Sequence, residues 1–274
     1  MNPDLENLDE LDLTDDLRSV TRHRLGHLLL IGLNRVPKRN AFNLDMREQL
    51  ALAFGELERD PQIRVGVVFA HGDHFTGGLD LAEVGDALRT GKGGIPEGGV
   101  DWRGLHGSHR TKPVVCAIQG WCMTLGIEAA LAADVRVATE DSRFSQMEVS
   151  RGIYPFGGAT FRFPREVGWG NAMRHILTGD VFDAAEALRI GLVQEVVPTG
   201  EHLVRAVELA QQIAAQAPLG VQTSLRSAWR AQREGDLAAA AALIPELLAL
   251  LDSQDAQEGR QSFLERRPAV FTGE

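Results

Sequence analysis

The most informative part of the sequence is Gly120-Trp121-Cys122-Met123-Thr124-Leu125-Gly126-Ile127-Glu128, which one residue, Gln119, separates from the apolar run Val114 to Ile118. That run is rich in valine and is typical of a buried strand, and a helix-prone segment, Ile127 to Ala133, comes after the turn. Backbone amides near Leu125 would then lie at a helix N-terminus, where N–H groups and the helix dipole stabilise negative charge. The sequence therefore predicts an anion-stabilising turn at this point.

A similar segment lies upstream. Phe75-Thr76-Gly77-Gly78-Leu79-Asp80 follows another valine-rich run, Val65 to Ala70. Paired glycines allow a tight turn and let a ligand approach the backbone closely. Taken alone, the segment could equally be an ordinary strand-to-helix turn with Asp80 near the helix start.

The third segment is Phe144-Ser145-Gln146-Met147-Glu148, which a glycine-containing loop over 152–158 follows. Its glutamate alone would be interpreted as a solvated loop carboxylate. Glu128, in the first turn of its predicted helix, would alone be interpreted as a surface residue that complements the helix dipole. The chemistry therefore depends on whether the three segments act together.

The rest of the chain alternates strands with helices. Ser19–His23 and His27–Leu33 are predicted strands joined by a tight turn, Asn43–Arg59 is a predicted helix, and Val135–Ala138 is a further strand. This alternation indicates an α/β fold with a largely buried sheet. A glycine-rich stretch from Gly85 to His109 is predicted to be a loop.

The chain after about residue 200 is almost entirely helical in pattern. The predicted helices are His202–Gln216, Pro218–Glu234, Asp236–Leu251 and a last segment from Glu258. We therefore expect an α/β core at residues 17–200 and a C-terminal helical region at 201–274.

The three segments, in this order and spacing, resemble the crotonase (enoyl-CoA hydratase/isomerase) superfamily, and in motif they are closest to the enoyl-CoA hydratases. Shorter family-like pieces run through the chain: Leu33-Asn34-Arg35 with Lys38-Arg39-Asn40-Ala41, Lys112-Pro113-Val114, Leu177-Thr178-Gly179, Ala184-Ala185-Glu186-Ala187, Gly191-Leu192-Val193 and Ser262-Phe263-Leu264-Glu265-Arg266-Arg267-Pro268. The resemblance covers about Ser19 to Gly273. It implies a repeated ββα spiral core and a C-terminal helical region that assembles the chain as a homotrimer or a dimer of trimers.

The resemblance also implies a reaction. The backbone amides of Leu79 and Leu125 would form an oxyanion hole for a thioester enolate, which stabilises the charge that develops in the transition state. Glu128 would orient and activate a water molecule, while Glu148 would exchange the proton at Cα. The expected reaction is reversible syn hydration of a trans-2-enoyl-CoA to a 3-hydroxyacyl-CoA, with no cofactor beyond the CoA of the substrate.

The residues expected to bind CoA follow from the same resemblance. For the CoA moiety they are the backbone near Lys38, Ala41, Gly78 and Asp80. Phe263 and Arg266 would approach the nucleotide, from the same or a neighbouring subunit.

The sequence departs from the usual family pattern at the expected oxyanion hole. Thr124-Leu125 stands where a glycine pair is usual, and we expect the Leu125 side chain to add bulk and to restrict φ there. Two alternatives stay open: a Δ3–Δ2 enoyl-CoA isomerase that uses Glu148 alone, and a non-enzymatic acyl-CoA-binding homologue with an impaired hole. The retained pair of glutamates favours the hydratase.

Charge and composition exclude two classes of partner, nucleic acids and membranes. The formal net charge is −10, and the first twenty residues hold seven acids against Arg18 alone, so we expect a mobile acidic tail at 1–16 and no nucleic-acid partner. The longest apolar stretch, fifteen residues from Leu237 to Leu251, is too short to cross a bilayer, and the N-terminus does not look like a signal peptide. We therefore expect a cytoplasmic protein that does not insert into membranes.

The remaining candidate ligands and nucleophiles are few. Cys116 and Cys122 are expected to be reduced and partly buried, and the spacing of His71 and His74 predicts no metal site. His106 and His109, in the glycine-rich stretch, are expected to be solvated.

Overall fold

The computed structural model describes residues 18–90, 93–107 and 109–274, so the predicted acidic tail lies outside the described residues. Nine strands are assigned within them. They are β1 (Val20–Leu25), β2 (Leu28–Leu33), β3 (Val65–Ala70), β4 (Val114–Ile118), β5 (Trp121–Met123), β6 (Val135–Thr139), β7 (Arg143–Ser145), β8 (Phe182–Asp183) and β9 (Glu195–Val197).

Ten α-helices are assigned within the same residues. They are α1 (Leu44–Arg59), α2 (Leu81–Arg89), α3 (Leu125–Ala130), α4 (Ala159–Val167), α5 (Trp169–Thr178), α6 (Ala184–Ile190), α7 (His202–Ala214), α8 (Pro218–Glu234), α9 (Asp236–Leu251) and α10 (Gln254–Glu265). No helix among the described residues is long and apolar enough to span a membrane.

Six strands form the main sheet, in the order β1-β2-β3-β4-β6-β9. β1 and β2 are an antiparallel hairpin that turns at Gly26, whose φ is +55°, and all other neighbours in this sheet are parallel. The parallel strands carry continuous apolar runs because both of their faces are covered. The predicted α/β class is therefore confirmed.

A smaller sheet, β5-β7-β8, takes two of its three strands from continuations of the main strands, whereas β8 follows α5. β4 leads into β5 and β6 leads into β7 after two or three residues, and the chain after β3 adds a bridge from Thr76 to Cys122 in β5. Each unit thus steps from the large sheet to the small one before its helix begins. This repeat of two strand segments and a helix is the ββα pattern that the resemblance implied.

The main sheet separates two apolar clusters. One cluster lies between one face of the sheet and α1, and its buried residues include Met46, Leu50 and Phe54. The other face is covered by α7, whose small residues Ala206, Ala210 and Ala214 let the helix lie close to the strands. Burial on both faces fixes the register of the strands and therefore the positions of the turns that follow them.

Asn40 ties the first of these turns together. Its side chain is buried, its Nδ2 donates to the carbonyls of His71 and His74 at 2.8 Å each, and its Oδ1 accepts from the Arg35 amide at 2.7 Å. Asn tolerates the left-handed φ of +53° found here. The loop after β2 is thereby fixed to the turn after β3.

Two boundary predictions are wrong and the other long helices are as expected. The glycine-rich loop does not begin at Gly85, because α2 continues to Arg89. The last helix begins at Gln254 and not at Glu258, because the Ser253 side chain caps it by accepting from the Ala256 amide.

Both cysteine thiols are free and fully buried, deeper than the partial burial we expected. Burial raises the pKa of Cys116 to about 12, and it raises the pKa of Cys122 as well. Neither thiol is therefore reactive at neutral pH.

Candidate active site

The turn after β3, the start of α3 and the 3₁₀ turn Met147–Arg151 surround a cavity of about 190 Å³, which we call the catalytic cavity. Leu79, Leu125, Glu128 and Glu148 all line it. Residues from three separate ββα units therefore meet at one place, as the sequence predicted for them as a group.

Two backbone amides in this cavity have no acceptor. Phe42 forms a parallel bridge with Leu79 through the amides of Phe42 and Asp80, so the Leu79 amide points the other way. Leu125 is the first residue of α3, where helical amides have no intrahelical partner. Among the described residues neither amide donates a hydrogen bond. Both amides are thus available to one developing oxyanion.

The backbone restriction at this turn falls on Thr124, and our placement of it at Leu125 was wrong. Thr124 has φ +49° and ψ −111°, a conformation that a β-branched residue adopts only under strain, whereas Leu125 has no positive φ. The Leu125 side chain is buried and packs into the main core. Its bulk is therefore accommodated inside the protein while its amide stays at the cavity.

The two turns that carry the amides touch at Gly78. This residue has φ +97°, and a Cβ built on it would lie 2.0 Å from the Thr124 Oγ1. Only glycine permits this approach, since any side chain would push the turns apart. The contact sets the spacing between the amides of Leu79 and Leu125.

Glu128 is held rigidly. Its Oε1 accepts from the amides of Gly157 at 2.6 Å and Ala159 at 3.1 Å, and a Cβ on Gly157 would lie 2.3 Å from its Oε2. Burial raises the pKa of the Glu128 carboxyl, while the two amides and the charges of Arg103 and Arg162 oppose that rise. These donors favour the ionised form of Glu128.

Glu148 lies in the 3₁₀ turn with only 6% of its surface exposed. Burial raises its pKa to about 7, and the nearby charge of Glu128 adds to the rise. The two amide donors favour the ionised form of Glu128, whereas burial and the charge of Glu128 favour the protonated form of Glu148.

Gln146 is a site residue to which the sequence had given no role. Its side chain is fully buried. In the amide orientation that satisfies its neighbours, the side-chain nitrogen donates to the Thr124 carbonyl at 3.0 Å and to both carboxyl oxygens of Glu148 at 3.2 Å. It links the carboxyl group to the turn that carries the Leu125 amide. The available signal was a polar side chain between the buried strand β7 and Glu148, two residues before the carboxylate.

A family model described as enoyl-CoA hydratase/isomerase matches residues 25–274. The chain belongs to the enoyl-CoA hydratase/isomerase family. The superfamily resemblance inferred from the three segments is therefore confirmed, and so is the fold that it implied.

Individual members of this family are similar over almost the whole chain. Enoyl-CoA hydratase EchA19 of Mycobacterium tuberculosis is 34% identical over 90% of this chain and 94% of its own length. The short-chain-enoyl-CoA hydratase of Clostridium acetobutylicum is 32% identical over 92% and 97% of the two chains. A solved structure of a probable enoyl-CoA hydratase/isomerase from Mycobacterium abscessus is 53% identical with a TM-score of 0.93, covering 94% of this chain and 100% of that one.

The structure brings together four of the residues that the family resemblance assigned to CoA. Gly77 donates its amide to the Arg39 carbonyl at 2.7 Å, and this joins the loop of Lys38 and Ala41 to the turn of Gly78 and Asp80. Lys38 is exposed there. Asp80, however, pairs with Arg35 at 2.7 Å, which holds the pKa of its carboxyl below the usual range. This carboxylate therefore fixes the turn.

Phe263 and Arg266 do not lie at the catalytic cavity of their own chain. Both are exposed at the end of α10, and the segment after them reaches Arg64, which donates to the Phe271 carbonyl at 2.7 Å. Arg64 precedes β3, whereas the cavity follows β3, so a whole strand separates the two ends. Contact with CoA from these residues would have to be made in a neighbouring subunit.

Replacing Gly78 tests the contact between the two turns. We expect Gly78→Ala to lower the free energy of unfolding by at least about 2 kcal/mol, since the new Cβ meets Thr124 and alanine disfavours φ > 0. Gly85→Ala is the matched control: no atom lies within 4 Å of its Cβ position in α2, so stability should stay equal or rise by up to about 1 kcal/mol. Urea unfolding measures the stability of both variants. Equal losses in Gly78→Ala and Gly85→Ala would contradict the close approach of Gly78 to Thr124.

Replacing Gln146 tests its hold on Glu148. We expect Gln146→Met to lower kcat about tenfold and to raise the pKa of Glu148 by about one unit, because the lost N–H donor favours the ionised carboxyl. The basic limb of the pH–rate profile reports that pKa. Gln119→Met is the control, since Gln119 is also buried but donates to the carbonyls of Ala70 and Gly72. An unmoved limb in Gln146→Met would refute the role.

Proposed function

We propose that the protein is an enoyl-CoA hydratase that adds water reversibly across the double bond of a trans-2-enoyl-CoA. The observation that carries this proposal is one cavity holding two buried carboxyl groups and two backbone amides without acceptors. Hydratases among its relatives, at 32–34% identity over nearly the whole chain, support the same reaction.

The amides of Leu79 and Leu125 donate to the thioester oxygen. As water adds to Cβ, electron density moves onto this oxygen and an enolate forms. Donors already in place stabilise that charge without reorganisation, and one such donor contributes about 10²–10³ in rate. The α3 N-terminus adds its dipole at the Leu125 amide.

The carboxyl pair moves the protons. Glu128, ionised and held by its two amide donors, removes a proton from the water whose oxygen bonds to Cβ. Glu148, protonated up to a pH of about 7, delivers its proton to Cα as the enolate collapses. The pair carries one proton before and after the step, so dehydration uses the same residues in the opposite roles. No cofactor is needed beyond the CoA of the substrate.

The fixed position of Glu128 favours hydration over Δ3–Δ2 isomerisation. An isomerase moves one proton between two carbons, which Glu148 alone could do. Hydration needs a second carboxylate in a fixed position, and Glu128 is fixed by two backbone donors and by Gly157, which leaves no room for a Cβ. A variant without the Glu128 carboxylate therefore separates the two reactions.

The test is hydration of trans-2-enoyl-CoA, followed through the loss of the conjugated thioester absorbance. Removing a general acid or base costs roughly 10²–10⁴ in rate, so we expect Glu128→Gln and Glu148→Gln each to lose that much. In the wild type, the rate should fall above a pH of about 7, where Glu148 loses its proton, and again at acid pH, where Glu128 gains one.

Glu140→Gln, at an exposed glutamate, is the control and should keep full activity. Full hydration by Glu148→Gln would contradict the proposal. The isomerase would be favoured by two results together: the wild type does not hydrate trans-2-enoyl-CoA, and Glu128→Gln still isomerises a 3-enoyl-CoA.

We further propose that the C-terminal helices assemble the chain as a trimer or a dimer of trimers. Large apolar side chains of α9 are exposed, among them Leu237 at 89%, Ile244 at 63% and Leu248 at 58%. An apolar surface of this kind is typical of a protein–protein interface. Assembly would also offer Phe263 and Arg266 to the CoA of a neighbouring subunit.

Charged substitutions on α9 test the assembly. We expect the wild type to sediment at three or six times the monomer mass, and Ile244→Lys with Leu248→Lys to sediment at a lower multiple, since two buried ammonium groups would oppose the contact. Glu234→Lys, on the neighbouring α8, is the control. A monomeric wild type at micromolar concentration would contradict the proposal.

A further inference from the structure

A second cavity, of about 480 Å³, lies between residues 101–107 and 109–110, helix α4 and helix α8. We call it the cationic cavity, because the described residues that line it include six arginines and one histidine but only three acidic side chains. Its volume lies within the range of small-molecule sites. None of the proposed catalytic groups lines this cavity.

The three acids are already engaged. Each forms an ion pair with one arginine of the cavity, at 2.7–3.1 Å: Asp101 with Arg103, Asp134 with Arg110, and Glu166 with Arg136. These pairs build the wall and neutralise half of the arginines. Three positive charges remain.

Those charges belong to Arg162, Arg165 and Arg233, which form no ion pair with any described residue. Arg162 is half-buried, its Nη1 is buried without a hydrogen-bond partner, and its Nη2 reaches the Gly104 carbonyl only at 3.5 Å. Burial lowers the pKa of Arg162, and the neighbouring charge of Arg110 lowers it further. The charges of Asp101 and Glu128 oppose this fall in the pKa, but neither carboxylate forms an ion pair with Arg162, so one nitrogen of its guanidinium group is buried without a direct acceptor.

Aromatic rings line the same space. The guanidinium carbons of Arg162 and Arg165 lie 5.5 Å and 5.6 Å from the centre of the Phe161 ring, and Trp229 contributes a second aromatic wall. An inorganic ion has no apolar part that could contact these rings. An anion with an apolar body would contact the rings while its charged end meets the guanidinium groups.

His109 adds a polar group without adding charge. It is half-buried, not solvated as we expected from the sequence, and its ring lies 6.0 Å from that of Trp229. Burial lowers its pKa, and the charges of Arg233 and Arg162 lower it further, so the ring is neutral at pH 7. A neutral imidazole can donate a hydrogen bond to an anion.

The cationic cavity lies directly behind the catalytic pair. Arg162 follows Ala159, whose amide holds Glu128, and its charge opposes the rise in the pKa of Glu128. Leu125 lines the catalytic cavity and Leu131, at the other end of α3, lines the cationic one. Six helical residues rise about 9 Å, so Leu125 and Leu131 lie about that far apart along α3.

We propose that the cationic cavity binds the carboxylate of an organic acid with an apolar body. The guanidinium fork of Arg162 matches the two oxygens of a carboxylate, and Arg165 and Arg233 supply the remaining charge at the mouth. The carboxylate has two possible sources: the far end of the substrate's acyl group, which rests on the proposed function, or a separate acid, which does not.

Direct binding tests the site without reference to catalysis. Hexanoate is the probe, with hexanol and inorganic phosphate as comparisons, and titration calorimetry on the full chain is the measurement. We expect hexanoate to bind at least tenfold more tightly than either comparison. Arg162→Gln and Arg233→Gln should each weaken it at least tenfold, and Arg260→Gln, at an exposed arginine of α10, should not.

Thermal unfolding of each variant checks that it is folded, and Arg233→Gln, at an exposed position, tests the site even where Arg162→Gln does not fold. Equal binding of hexanoate by the wild type and a folded variant would overturn the proposal. So would binding of phosphate as tight as that of hexanoate.

The ratio of kcat/KM for 2,3-dehydroadipyl-CoA to that for trans-2-hexenoyl-CoA identifies the source. A ratio that falls at least tenfold in Arg233→Gln assigns the carboxylate to the acyl group of the substrate. An unchanged ratio, with hexanoate binding lost, assigns it to a separate acid. A protein that hydrates no trans-2-enoyl-CoA of any chain length but binds hexanoate through these arginines would refute the proposed function and leave the site standing.

Discussion

The structure depends on a steric contact between two turns that are far apart in the chain. Gly78 meets Thr124 so closely that no Cβ fits between them, and the amides of Leu79 and Leu125 take their spacing from this contact. The strain at Thr124, with its positive φ, is the cost of a close approach made without a second glycine. Burial of the main sheet on both faces supplies the rigidity that maintains it.

The same turns create two different environments for two identical side chains. Glu128 faces the amides of the segment before α4, which favour its charge, while Glu148 is buried beside it and keeps its proton to about pH 7. Backbone donors and desolvation thus separate an acid from a base. Gln146 connects Glu148 to the turn at Thr124, so one buried amide couples the proposed proton donor to the candidate oxyanion hole.

Behind this pair, charge is distributed unevenly although the chain is acidic as a whole. The formal net charge of −10 predicts no nucleic-acid partner, yet three guanidinium groups that form no ion pair with any described residue line the cationic cavity. Net charge averages over the surface, whereas binding depends on the few charges that face one enclosed space. Arg162, Arg165 and Arg233 are spread over two helices that meet only in the folded chain.

The sequence by itself determined the α/β class, most of the long helices and the three segments that meet at the catalytic cavity, because apolar periodicity and glycine-rich turns are local properties of the chain. It did not determine the limits of α2 and α10, the role of Gln146, the strain at Thr124 or the half-buried state of His109. The start of α10 depends on a local cap, in which the Ser253 side chain accepts from the Ala256 amide. The role of Gln146, the strain at Thr124 and the half-buried state of His109 depend on contacts between residues distant in sequence. The tertiary structure decides these three, because close approaches and burial are set by neighbours that folding brings together.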